Sequence, residues 1–103
     1  MTPAQSAPGV ADAVRRFATQ LRRVRRPTDR IQARLEGPGG MTRLCAVEAV
    51  LDKHCPPGTR RELVWLTRAS AGSADTLHLS AFAAGGVLLC QAAFQLGEPG
   101  PSG

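Results

Sequence analysis

Apolar residues recur at Val10, Val14, Phe17, Leu21 and Val24, in alternating steps of four and three. That rhythm predicts an amphipathic helix from about Val10 to Arg26, stopped by Pro27, whose ring clashes with a preceding turn and which lacks an N–H. At roughly 100° per residue the five positions fall within an arc of about 80°. Arg15, Arg16, Arg22, Arg23 and Arg26 take the opposite side. The seam is narrower than an ordinary core-facing stripe, which suits a partner helix or a groove better than a broad sheet surface.

From Arg30 to Glu36 the period changes to two, with Ile31, Ala33 and Leu35 apolar between polar neighbours. A half-buried strand is expected. A short helix capped by Thr28 is the alternative, because Ile31 and Leu35 are also four apart. Gly37-Pro38-Gly39-Gly40 closes this element. A second helix is expected over Thr42–His54, with Thr42 as N-cap, Leu44, Val47, Val50 and Leu51 inward, and Cys55-Pro56-Pro57-Gly58 as its stop.

Three strands follow near 61–68, 76–83 and 87–96, the first two joined by a small-residue loop around Ser70–Asp75. If Gly85-Gly86 is a two-residue turn, Leu77 faces Phe94, Leu79 faces Ala92, Ala81 faces Cys90 and Ala83 faces Leu88. The other face then pairs Thr76 with Gln95 and Ser80 with Gln91. A slip of one residue would destroy this match of apolar to apolar and polar to polar. The expected fold is therefore α+β, in the order helix, strand, helix, strand, strand, strand, with both helices on one face of a small antiparallel sheet. Residues 1–9 are expected to form a flexible leader, 10–97 a single domain and 98–103 a flexible tail.

Composition narrows the picture. With 103 residues there is chain for one core only, and 43% hydrophobic content excludes a wholly disordered protein. No stretch of eighteen apolar residues is present, so no membrane-spanning helix is expected. The formal net charge of +5 is concentrated early, since residues 1–35 hold eight arginines against Asp12 and Asp29. Such asymmetry points to an anionic partner for the first helix: nucleic acid, a membrane surface or an acidic protein. Arginine so far outnumbers lysine that a GC-rich coding sequence explains it better than a choice of planar, bidentate donors.

Cys45, Cys55 and Cys90 make an odd number with no C-x-x-C spacing, which suits a reducing, cytoplasmic compartment with thiols as small core residues. The amphipathic, arginine-rich residues 1–27 also have the physical character of a mitochondrial transit peptide, which is the alternative localisation.

Catalytic and metal chemistry find little support. Cys45 and His54 lie about 180° apart on the second helix, and the sheet separates His78 from Cys90. Asp52 falls near Cys45, where a carboxylate would raise the thiol pKa rather than activate it. His54 suits the C-terminal dipole of its helix. Cys55-Pro56 could ligate haem iron, but a helix terminator explains it more simply. The glycine-rich segment before the second helix lacks the Lys-Ser or Lys-Thr of a phosphate loop and reads as a tight turn. Trp65 reads as core before interface anchor.

The expected role is accordingly a non-enzymatic protein-interaction module (an adaptor, chaperone-like or inhibitory protein), with no metal and no cofactor. It would bind a protein partner, or a second copy as a homodimer, through Val14, Phe17, Leu21 and Val24 of the seam, or through the apolar last strand at a sheet edge. The alternative is a nucleic-acid-associated regulator that contacts phosphates through Arg15, Arg16, Arg22, Arg23 and Arg26. The scarcity of aromatic side chains argues against base stacking.

Overall fold

The computed structural model describes residues 8–66 and 75–97. Most of the expected leader, all but Asp75 of the Ser70–Asp75 loop, the last two residues of the expected 61–68 strand, and the tail 98–103 lie outside the described residues. The elements run α1 (Val10–Arg22), β1 (Arg30–Glu36), α2 (Gly40–His54), β2 (Arg60–Leu66), β3 (Thr76–Phe82), a single 3₁₀ turn (Ala84–Gly86) and β4 (Leu88–Gln95). The α+β class and the order of elements agree with the sequence pattern, and β1 is a strand.

The sheet is mixed rather than antiparallel. Its strand order is β2-β1-β3-β4, with β1 and β2 parallel and the other two pairs antiparallel. The cause is α2: a helix between two strands carries the chain back to the end where β1 began, so β2 must run the same way. β3 then pairs with the far side of β1, which leaves β2 and β4 as the two edges.

The period-two pattern sorts the sheet's faces. Ile31, Ala33 and Leu35 of β1 and Leu77, Leu79 and Ala81 of β3 are fully buried beneath the helices. α2 packs over β1 and β2, while α1 packs against α2 and β4. The opposite face carries no second layer among the described residues.

Three boundaries differ from expectation. α2 begins at Gly40 with Gly39 as its N-cap, so Thr42 lies inside the first turn and caps nothing. α1 ends at Arg22, four residues before Arg26, because the N–H groups of Arg23 and Val24 donate to the carbonyls of Gln20 and Leu21 at 3.1 and 3.0 Å. Those short-range bonds tighten the last turn and close the helix before Pro27 is reached. In the hairpin the proposed pairs hold from Thr76–Gln95 to Ala81–Cys90, but Leu88 then faces Phe82 rather than Ala83. Leu89 is the extra residue of a β-bulge, and the connection is the 3₁₀ turn, with φ of +85° at Gly85 and +84° at Gly86.

Candidate binding surfaces

The seam of α1 is already occupied by the chain itself. Val14 and Phe17 are 0% exposed and Leu21 is 6% exposed, all in one cluster with α2 and the sheet. The expectation that these three residues form a free docking surface is corrected accordingly. Ala13 and Ala18, also buried, widen the stripe to an arc of about 140°, enough to cover a core. Val24 lies beyond the helix end and is half-buried.

The arginines divide into two groups. Arg15 and Arg16 sit beside Asp12 of the same helix, at 3.8 and 2.9 Å, with side chains more than half exposed. Arg22 and Arg26 instead line a cleft of about 620 Å³ between the C-terminal ends of α1 and α2. Lys53 and His54 of α2 line the same cleft, and its walls include Val24, Pro27 and Pro57. Thr28 and Thr59 also line it. The nearby carboxylates are engaged elsewhere, Asp29 with Arg60 at 2.5 Å and Asp52 with Arg61 at 3.1 Å. Asp52 therefore serves the start of β2 rather than Cys45. Arg23 and Arg25 are exposed outside the cleft.

The open face of the sheet is cross-linked by polar contacts. Arg30 and Gln32 both donate to Glu62 Oε1 at 2.7 Å, and the Arg30 guanidinium stacks 4.3 Å from the Phe82 ring centroid. Arg34 and His78 flank Glu36 at 3.5 and 3.8 Å.

The two sheet edges are unlike. β2 carries Arg60, Arg61 and Glu62 in its first half and the uncharged run Leu63–Leu66 in its second, whereas β4, Leu-Leu-Cys-Gln-Ala-Ala-Phe-Gln, has no charge and no proline over eight residues. Leu89, Cys90, Ala92 and Phe94 of β4 are only partly covered by the core, and Val87 and Leu88 are about half exposed. Trp65 is 38% exposed and not a core residue. Its Nε1 donates to the Gly37 carbonyl at 3.2 Å, and its ring lies close to Gly40 at the start of α2.

The glycine-rich turn before α2 holds an anion supplied by the chain. Asp75 is 3% exposed; its Oδ1 accepts from the Gly39 N–H at 2.8 Å and its Oδ2 from Arg43 at 2.7 Å. Arg43 also donates to the Gly97 carbonyl. A Cβ at Gly37 or Gly39 would lie 2.3 or 2.4 Å from the Asp75 carboxylate oxygens, so both positions need glycine. Sequence reasoning recognised the turn but not its occupant, which lies 36 residues further along the chain.

Burial pushes the thiol pKa of Cys55 up, Arg61 partly opposing and Asp52 adding to the rise; burial alone raises that of Cys90. Neither thiol is primed as a nucleophile at neutral pH. Among the described residues no three His, Cys, Asp or Glu side chains gather as a metal site, and no helix is long and apolar enough to cross a membrane.

No protein-family model, curated protein or solved structure matches this chain.

Proposed function

We propose that the protein is a small, non-enzymatic interaction module that takes a protein partner along the free edge of β4. The observation that carries this reading is the contrast between the two edges. Natural sheets guard exposed edges with charge, proline or irregularity. β2 follows that rule over Arg60–Glu62, and β4 departs from it along most of its length, with no charge at any position and one bulge near its start. An added strand would satisfy its outward backbone groups and cover the half-buried row Cys90, Ala92 and Phe94.

A second copy of this chain is the partner that β4 fits most simply. A two-fold axis through Ala92, normal to the sheet, sets Cys90 opposite Phe94 of the other copy and keeps both helical layers on the same side. Because β4 is uncharged, the net charge of +5 is not concentrated at the join. A reducing, cytoplasmic setting suits three free cysteines. It also fits better than a cleaved transit peptide, since residues 10–22 supply part of the core.

Light scattering over a range of concentrations tests the reading. The expected mass is twice the 10.8 kDa of the chain. Gln91→Lys combined with Ala93→Lys, both exposed on the open face, should return a folded monomer by setting four ammonium groups across the join. A wild-type chain that stays monomeric at millimolar concentration would overturn it.

A further inference from the structure

We infer that the cleft between the ends of α1 and α2 binds a small organic phosphate, an anion of two or more charges attached to an apolar ring or chain. This goes beyond the β4 reading and does not depend on it.

Cations at a helix C-terminus have an ordinary explanation, because the last carbonyls carry the negative end of the helix dipole. Here the magnitudes separate the two accounts. Two helix ends together supply roughly one negative charge. Arg22, Arg26 and Lys53 supply three obligate positive charges at neutral pH, before His54 is counted. About two positive charges remain uncompensated. Among the described residues none of Arg22, Arg26 and Lys53 has a carboxylate within 4.0 Å, and no acidic side chain lines the cleft. Elsewhere the fold sets its acids against arginines: Asp29, Asp52, Glu62 and Asp75 each hold one, and Asp12 stands beside two.

Shape selects the ligand class. The cleft, of about 620 Å³, falls in the range of small-molecule sites, roughly 300–1,000 Å³. Its cations come from two helix ends and one connector instead of from one continuous strand or helix flank. A duplex or long single strand needs phosphate contacts spread along an extended surface. Val24, Pro27 and Pro57 offer the non-ionic part of the ligand an apolar wall. Guanidinium groups suit phosphate oxygens through paired N–H donors.

Isothermal titration of the full chain at low salt, with ADP, inorganic pyrophosphate and a single-stranded oligonucleotide as separate ligands, tests the inference. ADP should bind more tightly than pyrophosphate. Arg22→Gln combined with Lys53→Gln should weaken ADP by about tenfold or more. Arg15→Gln combined with Arg16→Gln, on the same helix but outside the cleft, should leave ADP binding unchanged. Amide NMR shifts on adding ADP should map to residues 22–28 and 53–59. No binding of ADP at millimolar concentration would overturn the inference. So would oligonucleotide binding stronger than ADP that the Arg15 and Arg16 changes abolish, because the anion surface would then be the helix flank. Pyrophosphate equal to ADP would remove the apolar wall from the account and overturn the assignment to an organic phosphate.

Discussion

At the scale of single residues, Asp75 does more than any other polar group to fix the local structure. Its carboxylate completes the start of α2 and pairs with Arg43, and its backbone carbonyl accepts from the Leu96 N–H at 2.8 Å. Removing one member of a buried ion pair leaves the other charged and desolvated. Asp75→Ala should therefore cost about 3–5 kcal/mol, read from urea denaturation. Asp75→Asn keeps an acceptor for Gly39 and should cost less. The cysteines carry a second residue-scale prediction. Cys45 is exposed, while burial keeps Cys55 and Cys90 protonated above the ordinary thiol value of 9.0. Alkylation near neutral pH should therefore modify Cys45 first, half-buried Cys90 more slowly and buried Cys55 only on unfolding. The sign for stability follows. A pKa higher in the folded state means that the unfolded chain ionises first, so this contribution is intact below pH 9 and declines as pH rises through the folded values. A denaturation midpoint that rises between pH 9 and 10.5 would contradict the proposed burial of the two thiols.

At the scale of elements, what was legible in the sequence depended on how local its cause was. The alternation in β1, β3 and β4 is written residue by residue, and it gave the buried faces and the hairpin register as far as Ala81–Cys90. The bulge at Leu89 escaped because alternation says which face a residue takes, not where a strand gains an extra one. α1 was recognised as amphipathic, but its role was misread. Counting only the large residues made the stripe look narrow, whereas Ala13 and Ala18 are the small contacts that let the helix sit close to its neighbours. Phe17→Ala tests that correction directly. A side chain wholly inside the cluster should cost about 3–5 kcal/mol when truncated. A loss below about 1 kcal/mol would return the helix to the status of a detachable arm. The parallel pairing of β1 and β2 was implicit in the strand–helix–strand order, yet nothing in β2 itself announces it.

At the scale of the molecule, charge and apolar surface are distributed to different places. The cleft at the helix ends collects cations from two elements far apart in sequence, which is why Lys53 and His54 never entered the linear reading beside Arg22 and Arg26. The uncharged edge lies on the last strand, whose apolar character and edge position both agree with the sequence pattern. One further contact has a consequence for how this body joins to other polypeptide. The Gly97 N–H donates to the Pro8 carbonyl at 3.0 Å, so the outermost described positions of the chain meet. A body whose entry and exit points touch tolerates insertion into a host loop, or circular permutation, because neither rearrangement stretches the backbone across the fold.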